Sequence, residues 1–104
     1  WNNSAACGLG DSVLVDGAKR DRIIWPGDMG VSSQTAIATT GDLEATRNSA
    51  DTLYAHQLPN GMLPYAGPPV SFYGKSDTYH LWALLGTYNV AMHDESGLAW
   101  ITKV

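Results

Sequence analysis

A single cysteine, Cys7, excludes an internal disulfide framework and a thiolate-rich zinc site. It reads as a small buried residue or an unpaired thiol. Charge is scarce as well: 15% of the residues are charged, where a soluble domain ordinarily carries about 25%. So neutral a surface fits a secreted, extracellular protein, and Asn2-Asn3-Ser4 adds an N-glycosylation acceptor pattern at Asn2. The net charge of −4 leaves no basic field for nucleic acid or anionic lipid. No apolar run approaches the roughly 20 residues that cross a membrane. "GLGD" near the start lacks the strand, turn, helix and further glycine of a phosphate loop. His56, His80 and His93 lie in separate segments without the i, i+4 spacing of a helical zinc site. No cofactor and no metal are expected.

What is present is a chain of 104 residues, enough for one modest core. It opens "WNNSAACGLGD", with neither initiator Met nor signal pattern, and closes "GLAWITKV", which reads as a helix just begun. We therefore expect an internal piece of a longer protein. The first dozen residues read as loop, and "SVLVDG" as a brief strand or extended segment. A short helix of small residues, suited to close packing, is predicted from about Val31 to Thr39 and ends at Gly41. Asp42 then caps a helix in which Leu43, Thr46, Ala50, Leu53 and Tyr54 recur at helical spacing down to His56. Pro59-Asn60-Gly61 stops it. After the aromatic loop "MLPYAGPPVSFYGKS", Ser76 or Asp77 caps a third helix. Its Tyr79, Leu81, Trp82, Leu84, Leu85, Tyr88 and Met92 are apolar nearly all round, which predicts burial on most faces. "HDESG" turns, and Leu98 to Ile101 start a fourth helix. Alternating tight and elaborate connections of this kind belong to stacked helical hairpins, and long aromatic loops are commonly functional.

Carboxylates and aromatics carry the remaining chemistry. Enzymes that cleave sugars place two carboxyl groups about the bond and rest the sugar on aromatic rings. The carboxylate candidates are Asp16, Asp21, Asp28 and Asp77; the rings are Trp25, Tyr65, Phe72, Tyr73, Tyr79 and Trp82. Asp16, Lys19, Arg20, Asp21 and Arg22 crowd five charges into seven positions. The plainer readings are a surface ion-pair patch, a core anchor for Trp25 and a helix cap for Asp77. A general acid needs a raised pKa, whereas cations beside Asp21 lower it, so burial or a second carboxylate would have to reverse them.

"DGAKRDRIIWPGDMG", then "TGDLEATRNSADTLYAHQLPNGMLPYAGPP", then "SDTYHLWALLGTYN" resemble the catalytic domain of α-L-rhamnosidase-like six-hairpin glycosidases, particularly fungal secreted ones. The resemblance runs through nearly the whole chain, with three motifs in order. It implies an all-α fold, part of an (α/α)6 barrel, with residues 1–104 forming a partial catalytic domain of early hairpins only. It also implies inverting hydrolysis of terminal α-L-rhamnosides, a carbohydrate as partner, and the rest of a parent chain to complete the barrel.

By the same resemblance Asp16, Arg20 and Asp28 bind rhamnose hydroxyls, Trp25 walls the subsite, and Asp77 faces the pocket from a helix start. The sequence departs from the bacterial pattern between Arg20 and Trp25, where it is one residue short. One acid, Asp21, stands where the pattern has two, the second being the general-acid Glu. Either Asp21-Arg22 replaces the Glu-Arg pair, or the general acid is absent. The first is preferred, because Arg22 then keeps its spacing to Trp25 and joins the substrate-binding set. The general base belongs to a later hairpin, so the isolated chain is expected to be inactive. The rival is a non-catalytic carbohydrate-binding homologue.

Overall fold

The computed structural model describes residues 12–16, 20–67, 71–74 and 76–102. The expectations for Asn2, Cys7 and Lys19 fall outside them. Four helices follow in order: α1 (Pro26–Thr40), α2 (Glu44–Ala55), α3 (Asp77–His93) and the short α4 (Gly97–Ile101). Among the described residues there is no strand, only isolated antiparallel bridges pairing Ile24 with Gly67 and Ala66 with Phe72. The fold is all-α. Residues 12–16 of "SVLVDG" accordingly form no strand, and side chains of α2 hold them in place. The Leu14 N–H donates to Ser49 Oγ at 2.7 Å, and Asn48 Nδ2 donates to the Ser12 carbonyl at 2.9 Å.

Helix α1 begins at Pro26, well before the predicted start at Val31. Trp25 is its N-cap, and Pro26-Gly27-Asp28 open its first turn. Proline suits the first helical position because its missing N–H has no partner there in any case. The helix ends as predicted at Gly41, whose φ of 68° lets its N–H return to the Ile37 carbonyl. Asp42 serves α2 from one position further out than a cap: its Oδ1 accepts from the Glu44 N–H, while Leu43 holds the cap position. Ser76, not Asp77, caps α3 by accepting from the Tyr79 N–H.

α3 packs chiefly on α1 and also touches α2 and α4. A Cβ on Gly27 would meet the Tyr79 ring, one on Gly30 would meet Trp82, and one on Gly86 would meet Met29. Further along, Asn89 donates to Ser33 Oγ at 2.8 Å and accepts from Gln34 at 3.2 Å. These contacts advance together along both helices, so α1 and α3 run parallel and begin at the same end. α2 runs the opposite way against α3: Tyr54 bonds Thr87 at 3.1 Å, and Arg47, near the start of α2, pairs with Asp94 beyond the end of α3 at 2.9 Å.

The core joins Ile24, Met29, Leu53, Leu63 and Ala83, with Val13, Leu14, Val15 and Tyr54 against it. A second cluster of Ala50, Val90 and Trp100 seats α4. There the Trp100 indole N–H donates to Asp51 at 2.7 Å and Arg47 lies over its ring.

The expectation that α3 is buried on most faces is not met. Its covered side is narrow and mixes apolar with polar residues: Ala83, Gly86, Thr87, Asn89 and Val90. Leu81, Leu84, Leu85, Tyr88 and Met92 are exposed, Leu81 and Met92 to about 60%. Composition tells that a helix is apolar all round; it does not tell which neighbours are there to cover it. The helices described here lie on one side of α3 only.

Candidate functional site

In the charged stretch, residues 21 and 23 close back on Asp16. That residue is 6% exposed, the most buried carboxylate described. Its Oδ1 accepts from the Ile23 N–H at 2.9 Å and its Oδ2 from the Asp21 N–H at 3.0 Å. The Asp16 N–H returns to the Ile23 carbonyl at 3.2 Å, and Arg20 Nε lies 3.6 Å from Oδ2. One buried carboxylate thus fixes both ends of the loop. Charge-assisted bonds to backbone N–H groups are among the stronger hydrogen bonds.

Closing the loop this tightly sends Arg22 to a φ of 59°. An L-residue with a Cβ is uncommon there, and such positions gather at functional sites. Arg20, Asp21 and Arg22 are exposed, while Ile23 and Ile24 plunge into the core. The ends are anchored and the tip is offered to solvent. Asp21 itself is exposed, so the burial expected of a general acid is not supplied by the described residues.

Two segments distant in sequence meet here. Ile24 and Gly67 exchange backbone bonds at 3.2 and 3.0 Å, which docks the aromatic loop beside Trp25. Phe72 closes that loop by exchanging bonds with Tyr65 and Ala66 at 2.9 and 2.8 Å. The Trp25 ring lies 6.3 Å from Tyr65 and 6.1 Å from Tyr79, the latter edge-on, and Tyr65 stacks with Phe72 at 5.9 Å. These separations lie within the range in which rings attract through their quadrupoles. The Trp25 indole nitrogen is shut off from solvent and has no hydrogen-bond partner among the described residues.

Parallel α1 and α3 bring Asp28 and Asp77 to this same end, each exposed in the first turn of its helix. A carboxylate there is favoured by the helix dipole. Of the candidate rings, Trp25, Tyr65, Phe72 and Tyr79 gather. Trp82 packs instead on Gly30 in the helix interface, and the Tyr73 hydroxyl donates to the His56 carbonyl. The sequence reading weighed His80 only as a metal ligand. In the fold it sits with Asp77 and Asn60 on one cavity at the head of α3. The available signal was the Ser76 cap, which puts residue 80 one turn into the helix beside residue 77.

Stacked, alternating helices that present carboxylates, arginines and clustered rings at one end define an all-α hairpin domain. Residues 4–93 match the model of the bacterial alpha-L-rhamnosidase 6 hairpin glycosidase domain, and the chain belongs to that family. No curated protein and no solved structure gives a significant match.

Proposed function

We propose that the chain contributes one wall of the active site of a secreted glycoside hydrolase that removes terminal α-L-rhamnose with inversion, Asp21 being the general acid. The observation that carries the reading is the closure of Asp21 and Ile23 on the Asp16 carboxylate, which leaves Asp21 exposed between Arg20 and Arg22, four residues before Trp25. In this reading Asp16 is a positioning residue that holds the loop from within. Arg20, Arg22, Asp28 and Asp77 take sugar hydroxyls, and Trp25 bounds the subsite. Asp21 in its acid form gives its proton to the glycosidic oxygen as the bond to the anomeric carbon breaks. A carboxylate on another hairpin takes a proton from the water that attacks the opposite face, which leaves rhamnose of inverted configuration. Six hairpins need more helices than the four described, and the uncovered apolar side of α3 is suited to receive them.

The test uses the complete six-hairpin domain with an aryl α-L-rhamnoside. Asp21→Asn should lower kcat at least 100-fold, the lower range for losing general acid catalysis, with rhamnose binding retained. Unchanged turnover would remove Asp21 from the role. The exposed position of Asp21 favours a second reading, a pocket that binds sugar without cleaving it. Binding with no turnover in the intact domain would decide for that one.

A further inference from the structure

Away from the charged stretch and the ring cluster, the turn after α2 sets the parts of a covalent reaction side by side. Leu58 and Met62 pair across Pro59-Asn60-Gly61. The Leu58 N–H donates to the Met62 carbonyl at 2.9 Å, and the Gly61 N–H donates to the Leu58 carbonyl at 2.8 Å. Gly61 has a φ of 87°, the left-handed conformation with which three-residue turns of this kind close. The Asn60 side-chain oxygen accepts from the Met62 N–H at 3.0 Å, two residues further on. That bond folds the side chain back over its own C-terminal peptide and turns the amide carbon toward the Gly61 nitrogen. Asn60 and Gly61 are both exposed, and nothing lies within 4 Å of where a Gly61 Cβ would stand. Nucleophile, carbonyl carbon and water therefore meet at one place.

We infer that Asn60 is a modification site, at which the folded chain deamidates with water as the only co-reactant. The Gly61 nitrogen gives its proton to hydroxide and bonds to the Asn60 Cγ. The Cγ–Nδ2 bond breaks, ammonia leaves with a proton taken from water, and a five-membered succinimide remains. Water then opens that ring. Attack at Cγ leaves an ordinary aspartyl residue, and attack at the main-chain carbonyl leaves an isoaspartyl one, whose chain runs through the former side chain. In the first addition negative charge gathers on the Asn60 Oδ1, where the Met62 N–H already donates. With no Cβ on Gly61, nothing of that residue's own obstructs the attack. The opposing term is the bond from the Gly61 N–H to Leu58, which must open first. A single bond in an exposed turn slows the reaction by no more than roughly tenfold. The other two described asparagines are placed differently. Asn48 and Asn89 lie inside α2 and α3, before Ser49 and Val90, and their amide nitrogens donate to the Ser12 carbonyl and to Ser33 Oγ. The isoaspartyl product adds a methylene to the backbone, so the pairing of Leu58 with Met62 loses its register beside the core residue Leu63. None of this depends on the glycosidase reading.

The experiment incubates the 104-residue chain, shown to be helical by circular dichroism, at mildly alkaline pH beside the same chain unfolded in guanidinium chloride. Peptide mapping by mass spectrometry follows the conversion of amide to acid at each asparagine. In the folded chain Asn60 should convert at no less than roughly one-tenth of its unfolded rate, whereas Asn48 and Asn89 should convert only in guanidinium. Two products are expected at Asn60. One should co-elute with the corresponding peptide of Asn60→Asp, and the other should accept a methyl group from an isoaspartyl methyltransferase. Asn60→Ser should abolish the mass gain in that peptide. A folded rate at Asn60 well below one-tenth of the unfolded one would overturn the inference. So would conversion of Asn48 or Asn89 in the folded chain as fast as that of Asn60, an aspartyl product alone, or a mass gain that survives Asn60→Ser.

Discussion

Asp16 carries more of the local architecture than any other charged residue described. Asp16→Ala would leave the buried N–H of Ile23 without an acceptor, which costs about 1–3 kcal/mol, and would also release the part-buried N–H of Asp21. Its unfolding free energy should fall clearly, whereas Asp28→Ala at the exposed helix start should lower it by less than about 1 kcal/mol. The strained residue in the same loop gives a sharper comparison. Arg22→Val and Arg22→Asn both remove the guanidinium, but Asn tolerates φ near 60° and a β-branched side chain does not. The valine variant should be less stable than the asparagine one by about 1–2 kcal/mol, and equal midpoints would show that the backbone conformation is not what matters. The crowd of charges here was plain in the sequence. That one of them lies inside and organises the rest was not, because burial depends on the turn that closes over Asp16.

The parallel pairing of α1 with α3 depends on small residues at the crossing. In Gly30→Ala the added Cβ would lie 2.8 Å from the Trp82 carbonyl oxygen, a backbone atom that cannot move aside. Overpacking of this kind costs about 1–3 kcal/mol, more than the roughly 1 kcal/mol gained in helix propensity. In Gly86→Ala the Cβ meets only the terminal methyl of Met29 at 2.6 Å, and that flexible side chain can swing away. Thermal melts should therefore rank Gly30→Ala clearly below Gly86→Ala. The run of small residues in α1 announced close packing before any partner was known. The helix start was misplaced because "WPGD" satisfies the rules for a turn and for a helical first turn equally well, and the choice falls to the packing of Gly27 on Tyr79.

For the molecule as a whole, acid stability and surface character follow from the same arrangement. The Ser96 backbone N–H and then its hydroxyl hold the Asp94 carboxyl below the ordinary range. Burial opposes them, and the Arg47 guanidinium adds to them. A carboxyl lowered on folding stabilises above its unfolded value, about 3.9, and that contribution is lost as pH falls through the folded value. Asp94→Asn should flatten the acid limb of a stability-against-pH profile and leave the neutral plateau little sloped; an unaltered limb would refute the linkage. The uncovered side of α3 should bind a hydrophobic dye, and Leu84→Glu with Met92→Glu should reduce that signal without unfolding the chain. Helix identity, most helix ends, the carboxylate and ring candidates and the family were all legible in the sequence, since caps, periodicity and motif order are local properties of the chain. The meeting of Trp25 with Tyr65 and Tyr79, the burial of Asp16, the cavity at His80 and the exposure of Leu81 and its neighbours were not. Each depends on which distant segments come to lie side by side, and only packing in three dimensions fixes that.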